Sequence, residues 1–305
     1  MKCNLCPRAC NVDRNVNTGF CGMTNDIYAA RAALHMWEEP CISGEHGSGA
    51  VFFSGCTLRC IFCQNAEIAA AHVGKKITVE RLSDIFLELQ DKCANNINLV
   101  TATHFVPQVA EALIKAKNKG LVIPVVYNSS AYENVSTLSM LDGLVDVYLP
   151  DMKYIDSRLS AEYSKAPDYA DVAKAAIHEM VRQTGKPEFF IVDDELVKSG
   201  RVEAGIMKKG VIVRHLVLPG TTKDSKAVIK YLIDTYGDDI YISIMSQYTP
   251  FERLKKHPLL SRKVTRKEYN SVVDYAIDCG INNGFIQEGD VAEESFIPEF
   301  DYEGI

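Results

Sequence analysis

The sequence has no apolar run approaching the roughly 18 residues a membrane-crossing helix needs, and its N-terminus is polar and cysteine-rich where a secretion signal would be apolar. Both absences point to a cytoplasmic chain with no membrane partner. An excess of basic residues is missing as well: 33 Lys and Arg stand against 40 Asp and Glu, for a formal net charge of -7. Neutralising nucleic-acid phosphates takes a basic face, so no nucleic-acid partner is indicated. Low-complexity segments and internal repeats are also lacking. With 305 residues and 47% hydrophobic content, the chain can bury a full core.

Cysteine, by contrast, is plentiful, with ten in the chain. In a reducing compartment, and with a core large enough to need no staples, these thiols read as metal ligands before disulfides. Cys56, Cys60 and Cys63 lie in Cys56-Thr57-Leu58-Arg59-Cys60-Ile61-Phe62-Cys63, directly after the apolar run Ala50-Val51-Phe52-Phe53. Three thiolates at C-x3-C-x2-C spacing can hold three irons of a cubane cluster and leave the fourth open to a substrate or cofactor. A bland alternative is a set of structural or zinc-binding thiols. It leaves Cys56, Cys60 and Cys63 without a fourth ligand.

A second group, Cys3-x2-Cys6-x3-Cys10-x10-Cys21, sits in a loop-like stretch with Pro7, Gly19 and Gly22 between the thiols. It reads as one closed metal site, for zinc or for a second iron-sulfur cluster, against free thiols or a redox pair. Cys41 lies between the two groups and is either a ligand or a buried thiol. The loop Gly44 to Gly49 lacks the lysine of a phosphate-binding loop and reads as a tight lead into the first strand.

From Val51 onward, apolar runs alternate with amphipathic ones. Strands are expected at 50–53, 97–100, 122–127, 145–149, 211–218, 240–245 and briefly at 285–286. Helices are expected at 79–89, 109–117, 135–141, 161–182, 225–236 and 267–279. Continuous apolar strands separated by helices make a parallel sheet, and about six repeats predict an α/β fold, a partial (β/α)6 barrel with a cysteine-rich N-terminal extension. The expected domains are 1–49, 50–287 and an acidic, solvated tail 288–305. Residues 188–209 read as a hairpin or as a cap over the barrel mouth.

In a barrel the functional groups lie at the C-terminal strand ends. Those ends are Thr101-Ala102-Thr103-His104, Tyr127-Asn128-Ser129-Ser130, Pro150-Asp151-Met152-Lys153, Arg214-His215 with Pro219-Gly220, and Ser246-Gln247-Tyr248. His104 and His215 are open between structural and ligand-contacting roles. Met245 and Tyr248 either pack against a ligand or close the core. Cys93 and Cys279 read as core thiols, and His178 and His257 as surface residues.

The cysteine loop and these strand ends resemble the radical S-adenosylmethionine (SAM) superfamily, and within it the activating enzymes of glycyl-radical enzymes, typified by pyruvate formate-lyase activating enzyme. The likeness runs from Ala50 to Gln247. It implies an enzyme with a [4Fe-4S] cluster on Cys56, Cys60 and Cys63 that reductively cleaves SAM to a 5′-deoxyadenosyl radical. That radical abstracts hydrogen from a substrate, of which a glycyl residue of a partner enzyme is one candidate. An electron donor such as flavodoxin or ferredoxin is implied too. Phe62 takes the family's aromatic position, Asn128 and Asp151 the places of carboxylates near SAM and a bound cation, Lys153 the end of an Asp-x-Lys pattern, and Arg214 the start of an Arg-x(4)-Pro-Gly stretch. Thr101, Thr103, His104, Ser129 and Gln247 complete the expected SAM contacts. The family's Gly-Gly-Glu is replaced by Thr101 to His104, Asn128 is neutral, and the extra cysteines precede the cluster loop. These departures leave open a radical SAM reaction on a small molecule or another macromolecule, with the N-terminal site as auxiliary cluster or zinc.

Overall fold

Every apolar run read as a strand overlaps a strand of the computed structural model, which describes residues 2–287 and 298–305. The chain enters β1 (Ile27–His35), passes the single-turn helix α1 (Pro40–Ser43) and continues as β2 (Ser48–Phe53). After the cysteine loop come α2 (Ala66–Ala69), β3 (Lys75–Ile77) and α3 (Val79–Asp91). Strands and helices then alternate through β4 (Ile97–Val100), α4 (Val106–Asn118), β5 (Val125–Ser129), α5 (Val135–Leu138), β6 (Val147–Pro150), α6 (Ser157–Ser164) and α7 (Tyr169–Thr184). Following β7 (Glu188–Phe189) and α8 (Glu195–Lys198), the alternation resumes with β8 (Met207–Leu216), α9 (Thr222–Tyr236), β9 (Tyr241–Met245), α10 (Arg266–Asp278) and β10 (Gly284–Ile286).

The sheet order is β10-β9-β8-β6-β5-β4-β2-β1-β3. From β2 to β10 along this path every pairing is parallel, whereas β1 runs antiparallel to β2 and to β3. Six β/α units and a short closing strand result, as the periodicity predicts. The long helical run at 161–182 is two helices instead of one, because Lys165 takes a left-handed cap (φ 52°) and Pro167 restricts the residue before it.

Alternation along each strand sorts the faces. Val125 and Tyr127 pack in the main core with α3, α4 and their neighbours, while Val126, Val147, Leu149 and Ile212 form a separate interior cluster. Cys41 and Ile42 of α1 belong to that interior cluster, so α1 plugs the floor of the barrel. The Asn95 and Asn96 side-chain amides donate to the Ser43 and Ile42 carbonyls at 2.9 and 2.7 Å, satisfying the end of this short helix. Cys41 is therefore a core thiol.

Of the two readings of 188–209, the hairpin holds: β7 pairs antiparallel with Met207 and Lys209, before β8 joins β6 at Gly210. It lies at the N-terminal ends of the strands, away from the mouth. The described part of the acidic tail is not solvated chain. Glu303 O accepts the Ala32 amide at 2.8 Å, Tyr302 N donates to Ala30 O at 3.1 Å, and Arg31 pairs with Asp301 and Glu303, so residues 298–305 cover the edge of β1. Glu288, Asp290, Glu293 and Glu294 lie outside the described residues. Cys93 is exposed and Cys279 partly so, since both fall just past the last helical turn; the expectation of core thiols is corrected.

Candidate active site

The cysteine loop leaves β2 at the C-terminal end of the sheet. Its shape is fixed by bonds to backbone from several directions. Arg8 donates to Thr57 O at 2.8 Å and Ser164 O at 2.9 Å, Ile61 N to Tyr163 O at 2.8 Å, and Arg253 to Ile61 O and Cys63 O at 3.0 and 2.6 Å. Phe62 is buried edge-on against Tyr154, Tyr163 and Tyr248, so its aromatic ring anchors the loop, and Tyr248 closes the core.

Cys56, Cys60 and Cys63 all line one cavity of about 260 Å3 at the mouth. The Cys56 sulfur accepts the amides of Leu58 and Arg59 at 3.3 and 3.4 Å, and the Ser164 hydroxyl donates to the Cys60 sulfur at 3.1 Å. Burial pushes the Cys63 thiol up to about 12, with Cys56 and Cys60 adding to the shift. Among the described residues no three His, Cys, Asp or Glu side chains converge as a single metal ion requires. A cubane asks for something different: one thiolate per iron, spaced around a shared opening, with hydrogen bonds to sulfur. The three thiols and their donors fit that group.

Sharing the cavity with the thiols, the inward residues of neighbouring strands form a charged network. Arg214 of β8 donates from Nε to Asp151 Oδ1 at 3.0 Å, from Nη2 to Asn128 Oδ1 at 2.6 Å, and from Nη1 to Glu38 Oε2 at 3.0 Å. Lys153 Nζ lies 2.6 Å from Asp151 Oδ2. Burial alone would raise the Asp151 carboxyl, yet Lys153 and Arg214 outweigh it and hold it below the usual carboxylate range. Burial likewise works against the Lys153 ammonium, but Asp151 and Cys60 keep it charged. Asn128 thus sits on the guanidinium, beside Asp151, in the place expected for cation ligation.

Of the residues expected from sequence, Phe62, Thr101, Asn128, Asp151, Lys153, Arg214 and Gln247 line the cavity with the three cysteines, and so does Met245. Thr103, His104 and Ser129 are not among its lining residues. The hydroxyls of Thr103 and Ser129 both donate to Glu133 Oε1 at 2.6 Å, and buried His104 bonds Ser54 O at 2.7 Å. Burial pushes His104 down to about 3 and His215, bonded to Met152 O, down to about 4, so both are neutral structural residues. His178 is exposed, while His257 bonds Glu162 and the amides of Leu259 and Leu260.

Glu38, Trp37 and His35 also line the cavity and were not among the expected residues. Their signal in the sequence is the acidic pair Glu38-Glu39 set between the apolar Met36-Trp37 and Cys41-Ile42.

The N-terminal cysteines stand next to this site. Cys21 O accepts the Cys56 amide at 3.3 Å, and a Cβ placed on Gly19 would meet the Cys21 and Cys10 sulfurs at 3.5 and 3.6 Å. Burial raises both Cys6, to about 12, and Cys21.

Residues 50–193 match the family model described as the Radical SAM superfamily. The chain is 28% identical over 281 residues to the uncharacterized protein MJ0674 of Methanocaldococcus jannaschii, covering 90% of this chain and 74% of the relative. Its fold is similar to Streptococcus suis SuiB, solved with its precursor peptide SuiA and with S-adenosylmethionine. Both superpose with a TM-score of 0.50 over 77% of this chain, at 15% and 14% identity. This chain spans about half of SuiB, 46% and 49% of those two chains. The family match and the mostly parallel α/β sheet carrying the cysteine loop identify residues 50–193 as a radical SAM domain, and the chain as an enzyme.

Proposed function

We propose that this chain cleaves SAM reductively at a [4Fe-4S] cluster held by Cys56, Cys60 and Cys63, and directs the resulting radical at a C–H bond of a protein or peptide substrate. One observation carries the reading: the three loop thiols and the Asn128, Asp151, Lys153 and Arg214 network line a single cavity. When bound, the cluster supplies the electron that opens the sulfonium, and an external donor of the flavodoxin or ferredoxin type supplies it in turn.

The residues supply binding and shielding. Lys153, paired with Asp151, presents an ammonium to the cavity that would hold an anionic group of the ligand, and it partly offsets the burial that raises the Cys60 thiol. Arg214 lines the same cavity. Leu58, Phe52 and Met245 give an apolar side that excludes water from a reactive intermediate. Trp37 also lines the cavity and is 62% exposed, so a substrate can meet it from solvent. A glycyl residue of a partner enzyme is the first candidate. The replacement of Gly-Gly-Glu by Thr101 to His104 favours testing other peptides and small molecules beside it.

Cys3, Cys6, Cys10 and Cys21 are proposed to hold an auxiliary cluster or zinc, and a single zinc ion would require them to draw closer than they stand in this structure. All ten cysteines are unpaired, which fits a reducing cytoplasmic setting.

Anaerobic reconstitution with iron and sulfide, followed by dithionite and SAM, should release 5′-deoxyadenosine, and Cys60→Ala should abolish it. No release from the reconstituted wild type rejects the reading. About four irons per chain assigns zinc to the N-terminal thiols, and about eight assigns a cluster.

A further inference from the structure

Glu38 belongs to the link between β1 and α1, outside the family match, and its carboxylate reaches the cavity from the barrel floor. Its Oε2 accepts Arg214 Nη1 at 3.0 Å, and its Oε1 accepts the side-chain amides of Asn98 at 3.1 Å and Asn128 at 3.3 Å. The side chains of Glu38 and Arg214 are only 9% and 14% exposed, so solvent screens neither charge well.

A guanidinium has five N–H groups in one plane. Asp151, Asn128 and Glu38 take one each from Nε, Nη2 and Nη1, which leaves one N–H on each terminal nitrogen for a ligand. Because those partners come from three separate parts of the chain, the plane cannot swing without breaking at least one bond.

Charge gives the second argument. Apart from the three cysteines, the ionised side chains that line the cavity are Lys153 and Arg214 against Asp151 and Glu38, and these four cancel. His35 is kept neutral by burial and by Arg31 and Arg214, and burial favours the protonated form of Glu39. Without Glu38 the same four positions carry one excess positive charge. SAM is itself a net cation, with sulfonium and ammonium against one carboxylate. S-adenosylhomocysteine keeps the ammonium and carboxylate, loses the sulfonium, and is net neutral.

We propose that Glu38 is a positioning residue that clamps Arg214 and supplies the negative charge by which this cavity accepts a sulfonium ligand over its neutral thioether. The inference rests on the SAM reading above and adds what sets the cavity's preference for the charged form.

The test is anaerobic calorimetric titration of the reconstituted full chain with SAM and with S-adenosylhomocysteine, for wild type, Glu38→Gln and Glu38→Asp. Gln keeps the shape and an acceptor for the two amides. Removing one poorly screened charge should weaken SAM roughly tenfold while S-adenosylhomocysteine changes by less than about twofold. Asp keeps the charge on a shorter stem, so both ligands should weaken together and their affinity ratio should stay at the wild-type value. Equal weakening of both ligands by Glu38→Gln, or no weakening, overturns the inference. Should Glu38→Gln fail to fold, the Asp variant decides alone, a shifted ratio overturning it. Wild type that binds neither ligand instead rejects the SAM reading, and the Glu38 inference with it.

Discussion

The carbonyl of Cys21 accepts the amide of Cys56 at 3.3 Å, so the N-terminal thiol loop is joined by backbone to the first cysteine of the loop that carries Cys56, Cys60 and Cys63. The junction requires Gly55. Its φ is +85°, and an added Cβ would lie 2.4 Å from Met23 Cγ and 2.7 Å from Cys21 O. Two loops separated by more than thirty residues in sequence therefore meet at a point where a side chain has no room.

Gly55→Ala should cost about 2 to 3 kcal/mol, combining left-handed strain with displacement of the Cys21 carbonyl. Gly120 is the control, since its φ is +106° but nothing lies within 4 Å of an added Cβ. Gly120→Ala should cost about 1 kcal/mol, from strain alone. Denaturant midpoints of the two variants check the difference, and equal losses would mean that the close approach of the loops contributes nothing.

Arg8 makes the same junction with a side chain, reaching Thr57 O, Ser164 O and Lys165 O and stacking over Phe20 at 4.1 Å. Arg8→Ala leaves three carbonyls without their cationic donor and should cost about 2 to 4 kcal/mol. Arg8→Lys should recover only part of this, because one ammonium cannot span the acceptors of a planar fork. Iron retained by the Cys3→Ser, Cys6→Ser, Cys10→Ser, Cys21→Ser background after gel filtration reports the loop directly, and Arg8→Ala should lower it there.

The barrel was legible because its signals are local: apolar runs, amphipathic runs between them, and a cysteine spacing directly after the first strand. Period-two alternation also separates Asn128, which faces the cavity, from Ser129, which bonds Glu133 on the other side; reading whole strand ends as binding groups merged the two. Glu38 stands out in the sequence only as half of an acidic pair between apolar residues, which does not say where its side chain goes. Its place depends on β1 running antiparallel on the open side of the barrel and on α1 turning back under it, and neither is encoded by spacing near Glu38. The C-terminal residues were hidden for a similar reason: an acidic run reads as solvated until Arg31 on the edge strand meets it.

Glu133 gives a prediction for pH. Burial raises its carboxyl from 4.5 to about 7, against the lowering pull of bonds from Ser129, Thr103 and Tyr127, and its Oε2 has no hydrogen-bond partner. Between about 4.5 and 7 the folded state holds more protons than the unfolded state, so stability falls as pH rises through that window. The contribution amounts to a few kcal/mol at most, at about 1.4 kcal/mol per unit. Glu133→Gln keeps an oxygen for the three donors and removes the proton, so its stability should be flatter across the window. Denaturation series at pH 4.5 to 7.5 compare the slopes, and parallel wild-type and variant curves would discard Glu133 as the source.

Ser164 offers a test of the cluster loop that leaves its ligands untouched. Its hydroxyl lies 3.1 Å from the Cys60 sulfur and 3.0 Å from the Tyr154 hydroxyl, and Ser164 is not among the residues that line the cavity. A donor to a ligand sulfur withdraws electron density and stabilises the reduced state of a cluster, so losing it makes reduction harder. Ser164→Ala should therefore shift the reduction potential to more negative values while iron content and SAM affinity stay at wild-type levels. A redox titration followed by electron paramagnetic resonance measures the shift. Replacement by Thr, which restores the hydroxyl, should return the potential toward wild type. An Ala variant with an unchanged potential would show that this hydroxyl serves Tyr154 and packing, and that the thiolate of Cys60 is tuned by Lys153 instead.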